Sequence, residues 1–395
     1  MKKRLLFSFF NALIAIFIFF LIQKIYLLPT NDKNVFTNSF ITKHIILNKN
    51  TGINSDELLF VNTSFDNMLV DNFDEKGLPV GNINITDRKE LQYFFERVKK
   101  SAKHKYILCD IFFEHASLYD DSLEEAMNIP RLIIPEAKKG DGLIFSNNKI
   151  KRGLAEIKTT GGLFYKYKLF SQETKQSSIP LKMYEELTGE SLEKGYLWSR
   201  HGNNLMFNDF IPDYRVTNYD LLEAKSFLLF NLGEINLTST EFFNSVIDNR
   251  IIVIGDFYLN DNKNTLLGNI SGPLLLVNAY YSLVKGDNII SVWLIIFLFL
   301  VFWGFSFIAV YPQDILEMKI GRIPYFGILL HVFSYVLIMS LVSFLVYFIF
   351  GINVNLAYIG ALFFIEDKVL NFKFYREKIS QFFKQEFLKS GSYSK

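Results

Sequence analysis

The chain has a single cysteine, Cys109, so no disulfide forms within it and no cysteine-based zinc site is available. Set in the run "YILCDIFF", that thiol reads as a small buried residue of a core strand. An excess of charge is also missing. Forty-two Lys and Arg against 40 Asp and Glu leave a net of +2, which offers no footprint for nucleic acid. The short motifs of phosphate and hydrolytic chemistry are absent: there is no GxGxxG turn, P-loop, HExxH or GxSxG. One stretch, "RIIVIGDFYLNDNKNTLLGNISGP" (250–273), opens like a nucleotide site. Its glycines, Gly255, Gly268 and Gly272, stand too far apart for one phosphate-binding turn. The expectation is a chain with no catalytic role, no cofactor and no metal.

What the sequence has instead is apolar bulk. Half of its 395 residues are apolar and the mean hydropathy is +0.18, between a soluble enzyme and a membrane bundle. Residues 5–22 form an uncharged run behind Lys2, Lys3 and Arg4, with no small-residue cleavage site after it. This predicts an uncleaved anchor with its basic end in the cytoplasm. Residues 292–311 and 325–350 are two further uncharged runs, each long enough for ~30 Å of hydrocarbon. A shorter run, 352–366, predicts a fourth span, because the tail after it carries more Lys and Arg than Asp and Glu.

The expected layout is therefore a cytoplasmic start and N-terminal anchor (1–27), an outside domain (28–290), C-terminal transmembrane helices (291–366) and a cytoplasmic tail (367–395). The cytoplasmic pieces are each under ~40 residues, too small for a kinase or cyclase. Any chemistry falls to the outside domain. Within the tail, Phe374, Ile379, Phe382, Phe383 and Phe387 alternate with basic residues, as in a membrane-surface or docking helix.

The outside domain reads as α/β. "ELLFVN" (57–62) is a strand. The helix 87–100 has Asp87 and Glu90 as a capping box and an apolar stripe at Leu91, Phe94, Phe95 and Val98. The near-continuous apolar run 104–113 is a strand buried on both faces. A helix led by Asp120 and Asp121 and a strand at 131–137 continue the rhythm. Residues 142–170 look like a β-hairpin, 180–190 a short helix, and 191–224 an irregular, solvated stretch holding His201. Strands at 226–231 and 250–256, with a helix between, and a last helix from Gly272 complete a mixed, mostly parallel sheet.

Asp110 and Asp256 follow strands, where open α/β sheets place ligands, and Asp120 and Asp121 stand at a helix start. Such carboxylates can hold a cation or polar ligand. Equally, Asp110 can cap a loop and Asp256 brace a turn.

The order "YILCDIFF…YDDSLEEAM…RLIIP", then "NRIIVIGDF…TLLG…SGPLLLVNAYYSLVKGDNII", resembles the type 2 CHASE domain, a sensory domain found outside the membrane beside cyclases and histidine kinases. In that family an N-terminal anchor precedes the sensor and about three membrane helices follow, a layout matched here along nearly the whole chain. The resemblance implies a membrane-anchored extracellular sensor in a bacterial inner membrane, its ligand residues among Asp110, Asp120, Asp121, Gly255, Asp256 and Asn278. It implies the bilayer and a cytoplasmic signalling protein as partners, with a small ligand of unknown kind. This copy departs from the family in three places. Thr265-Leu266-Leu267-Gly268 lacks the proline usual there, Val277-Asn278-Ala279 lacks a histidine, and no output domain follows the tail. The alternative expectation is a cell-envelope structural or assembly module using the same domain as a protein-binding surface; an extracytoplasmic hydrolase is a third.

Overall fold

The computed structural model describes residues 2–22, 52–73, 77–101, 103–136, 145, 149–155, 164, 166–171, 173–196, 198–258, 261–265, 267–310 and 324–370. They belong to two compact units, Phe40–Asn288 and Met1–Ser39 with Ile289–Lys395. The tail helix expected at 372–390, the loop before residue 324 expected to be cytoplasmic and much of the hairpin expected at 142–170 lie outside the described residues.

In the first-named unit the strands are β1 (Leu58–Asn62), β2 (Asn67–Phe73), β3 (Pro79–Thr86), β4 (Tyr106–Cys109), β5 (Leu132–Pro135), β6 (Lys151–Gly153), β7 (Tyr167–Lys168), β8 (Trp198–His201), β9 (Asn204–Phe207), β10 (Asp209–Phe210), β11 (Leu228–Asn231), β12 (Ile251–Gly255), β13 (Asn262–Thr265) and β14 (Gly268–Ser271). After α1 (Lys2–Ile22), which belongs to the other unit, the helices are α2 (Arg88–Ser101), α3 (Asp120–Ala126), α4 (Ile179–Thr188), α5 (Leu232–Asn236), α6 (Thr240–Ile247) and α7 (Gly272–Lys285).

Six strands form one sheet in the order β11–β1–β12–β4–β5–β6, and every pairing in it is parallel. The sheet is not mixed as expected. The antiparallel pairs, β2 with β3, β8 with β9, β7 with β10 and β13 with β14, lie outside it. Part of the predicted hairpin instead became β6, which extends the sheet by pairing parallel to β5.

Side chains alternate between two helical layers. Leu59, Val61, Ile107, Cys109, Ile252 and Ile254 point into one core with the apolar stripe of α2 and residues of α3, α5 and α6. On the other face Tyr106 lies near Glu186 of α4 and Tyr280 of α7. Burial on both faces explains why β1 and β12 read as unbroken apolar runs.

The helix ends follow local chemistry. Asp87 Oδ1 caps α2 by accepting from the Lys89 and Glu90 amides at 2.9 and 3.2 Å. The reciprocal half of the expected box is not made: Glu90 Oε2 accepts from Asn236 Nδ2 at 2.7 Å, and the Asp87 amide donates to Asp66 O. Gly189, at φ +76°, ends α4 in the left-handed region. The stretch read as irregular is in part the β8–β9 hairpin, turned at Gly202 (φ +54°), with His201 buried. Ser199, Arg200, His201 and Asn204 masked those strands, since polar residues there break the apolar alternation.

Among its described residues the other unit packs four helices: α1, α8 (Val292–Val310), α9 (Pro324–Phe350) and α10 (Ala357–Leu370). Ser8, Ala12, Ala15 and Phe19 form a fully buried stripe on α1, as do Leu294, Leu298, Phe302 and Ser306 on α8. Asn11 Nδ2 donates to Ser306 Oγ at 2.8 Å and to Glu366 Oε2 at 2.6 Å, and Trp303 Nε1 donates to Ser8 Oγ at 3.1 Å. Gly360 sits so near α9 that an added Cβ would lie 2.8 Å from Tyr335 O.

Among the described residues Leu5–Ile22 is long and apolar enough to cross a membrane, whereas Val292–Ile308 and Ser334–Phe350 are shorter apolar segments. The fourth span expected at 352–366 is shifted. Residues 351–356 are not helical, Asn355 Oδ1 and Ser343 Oγ cap the start of α10, and that helix runs on past Glu366 and Asp367. Its 14 residues rise about 21 Å, less than a hydrocarbon core.

Candidate functional site

The carboxyl ends of β1, β12 and β4 lie side by side. Helices following β1 and β4 pack on one face of the sheet, and α7, following β12, packs on the other. In open α/β sheets the ligand crevice lies where connections diverge in this way, and polar residues follow these strand ends here.

Asn62, fully buried at the end of β1, donates to Asn231 Oδ1 at 2.8 Å. Its own Oδ1 accepts from the amides of Ser64 and Phe257, both at 3.2 Å. Ser64 Oγ lies 2.6 Å from Asn62 Oδ1 and 2.5 Å from Asp256 Oδ1, and one hydroxyl proton serves only one of them. Asp256 Oδ1 also accepts from the Tyr258 amide at 2.9 Å. Asp256 therefore braces the turn after β12, the bland alternative foreseen for it, and Gly255 forms part of the same turn.

Asp110 follows β4, its amide bound to Ile254 O. Its carboxyl is held well above the ordinary range, by burial first and by the negative charge of Asp261 second, with Lys263 opposing. Asp261 is raised as well, again by burial, while Lys263 Nζ stands 2.6 Å from its Oδ1 and the charge of Asp256 adds to the rise. An added Cβ on Gly272 would overlap the Asp261 carboxylate, and one on Gly255 would lie 2.5 Å from Pro273 Cγ. Two glycines thus let the first turn of α7 press against the strand end and against Asp261. Asp110 and Asp261 are thus both held above the ordinary carboxylate range, beside Asp256. Among the described residues no group of three or more His, Cys, Asp or Glu is arranged to hold a metal ion.

Asp120 lies on the opposite face. It is the first residue of α3 rather than its cap: its carboxylate accepts from the Ser117 amide at 2.6 Å and Ser117 Oγ at 3.0 Å. Its charged neighbour is Arg88, 1% exposed, with Nε 3.7 Å from Asp120 Oδ1 and the guanidinium 4.3 Å above the Phe113 ring. Asp121 is exposed in the first turn of α3. Asn278 is fully buried in α7. Its Oδ1 accepts from the Arg215 and Val216 amides at 2.7 and 2.9 Å, and its Nδ2 donates to Val216 O and Leu274 O. All four of its hydrogen bonds go to backbone, so it fastens segment 215–216 to α7.

Of the six residues singled out in the sequence, the structure brings Asp110, Gly255 and Asp256 together and sets Asp120, Asp121 and Asn278 apart from them. Asp261, Lys263 and Arg88 were missed. The first two sit in an Asn-rich polar loop that resembles plain solvated chain, although the glycine ending that loop is a usable signal. Arg88 follows a helix cap, where a basic residue reads as surface. No family model matches the chain, and neither a curated protein nor a solved structure matches it.

Proposed function

We propose that the chain is a membrane-anchored sensory protein of the type 2 CHASE kind, with residues 28–290 outside the membrane and its state passed to a separate cytoplasmic partner. The observation carrying this reading is the start of α7. Gly255 and Pro273 are in contact at the crevice, so a ligand or proton that shifts Asp256, Asp110 or Asp261 acts directly on the first turn of that helix. The helix then runs unbroken to Lys285, and only residues 286–291 separate it in sequence from the apolar helix α8. Asn278 and the ion pair of Arg215 with Asp287, at 2.7 Å, stiffen it along the way.

A multi-pass arrangement with its N-terminus inside accords with Lys2, Lys3 and Arg4 and with the apolar character of α8 and α9. Helix α1 is read as a retained anchor rather than a cleaved signal, because it supplies Ser8 and Asn11 to the hydrogen bonds of its bundle. The tail at 372–390 is the proposed docking segment. Affinity capture from membranes, with the full chain and with a chain cut after residue 371, tests this. The reading expects a kinase, cyclase or response regulator with the full chain alone; equal capture by both sinks the partner.

A second reading, an envelope assembly module, is favoured by exposed apolar residues on and beside the β2–β3 hairpin: Phe65, Leu69, Leu78 and Val80. If Leu69→Ser with Val80→Ser abolishes association with envelope proteins and leaves signalling untouched, this reading replaces the first.

A further inference from the structure

We propose that Arg88 anchors a binding site for small carboxylate ligands at the carboxyl end of β4. Three observations meet there. Arg88 is 99% buried, yet its side chain donates no hydrogen bond to any described residue, and its Nε and Nη1 are enclosed without an acceptor. A guanidinium carries five N–H donors, and burying them unmet is costly, so the arrangement is built to be completed by an acceptor. The nearest anion, Asp120, stands off at 3.7 Å, beyond hydrogen-bond reach, because its oxygens are engaged by Ser117. Finally, Arg88 opens the 14-residue helix α2, whose amino end favours negative charge.

The surroundings select the kind of anion. The guanidinium stands 4.3 Å from the centre of the Phe113 ring, itself 4.4 Å from the Phe145 ring, so the ligand meets an apolar wall. Asp87 and Glu90 belong to the start of α2, and Asp120 and Asp121 to the start of α3. A phosphate dianion would face four carboxylates with one arginine to offset them. A monocarboxylate asks for one charge and two donors, which the planar fork of Arg88 provides. The ligand class is therefore a small organic monocarboxylate with an apolar or aromatic body.

The inference deepens the sensory reading and rests on it for its biological sense, but binding is measured on the protein itself. Calorimetric titration of the full chain in detergent with acetate, pyruvate and benzoate, and with inorganic phosphate for comparison, is the test. At least one carboxylate is expected to bind with Kd below about 1 mM, and phosphate at least roughly tenfold more weakly. Arg88→Gln should weaken the carboxylate roughly 10–100-fold. Since that variant leaves Asp120 without its cation and can fail to fold, Asp120→Asn serves as the second. It keeps the guanidinium and removes its competitor, so carboxylate binding should tighten about tenfold. No carboxylate heat, a preference for phosphate, unchanged binding in folded Arg88→Gln, or unchanged or weaker binding in Asp120→Asn each overturns the site. A carboxylate that binds as expected without altering output upholds the site and counts against sensing alone.

Discussion

Gly255 and Pro273 meet so closely that a single methyl group on Gly255 would lie 2.5 Å from the Pro273 ring. The end of the central strand and the first turn of α7 therefore touch without an intervening side chain. Gly255→Ala should push that turn outward or strain the strand, costing about 1–3 kcal/mol. Urea unfolding checks the loss, and a stability equal to wild type would show that the contact is soft.

Asn278 is the next point at which α7 is held. Replacing it by Leu leaves the amides of Arg215 and Val216 and the carbonyl of Val216 buried without partners. Each unmet buried group costs about 1–3 kcal/mol, so Asn278→Leu should lose several kcal/mol despite similar volume. Asn278→Asp should also destabilise, because it retains the acceptor and removes both donors. Chemical unfolding of the two variants decides it; neutral behaviour would return Asn278 to the pool of ligand candidates.

The aspartates of the crevice make stability depend on pH with a definite sign. Asp110 and Asp261 bind protons more tightly when folded than when unfolded, because burial raises both, aided by the charge of Asp261 on Asp110 and of Asp256 on Asp261. Their contribution is fully present below the ordinary carboxylate range and is lost as pH climbs through the raised folded value. Asp110→Asn should therefore raise the Tm at pH 8 and change it little at pH 4. An increase confined to acid pH would contradict the assignment.

Much of the α/β unit was legible from pattern alone.

 The strands β1, β4 and β12 announced themselves because burial on both faces demands unbroken apolar runs, and α2 because one apolar stripe and an Asp cap mark its length and start. The hairpins did not. β13 with β14 is held by backbone pairing between largely polar residues, and in β8 Ser199, Arg200 and His201 break any apolar alternation, so composition carries little trace of either pair. At the site, Asp110 and Asp256 were readable as acids following strands. Asp261 was not, since the pairing of β13 with β14 sets it opposite Gly272. Arg88 was hidden for a related reason: only the packing of α3 and Phe113 over the start of α2 buries it.

The most direct test of the account is where the α/β unit resides. Leu118 is 99% exposed, and the native Cys109 is buried, so a Leu118→Cys chain offers one accessible thiol among the described residues. A membrane-impermeant maleimide added to intact cells, with the outer envelope opened, should label that thiol fully and leave the parent chain unlabelled. Labelling that appears only after the inner membrane is permeabilised would place the unit in the cytoplasm and contradict the account.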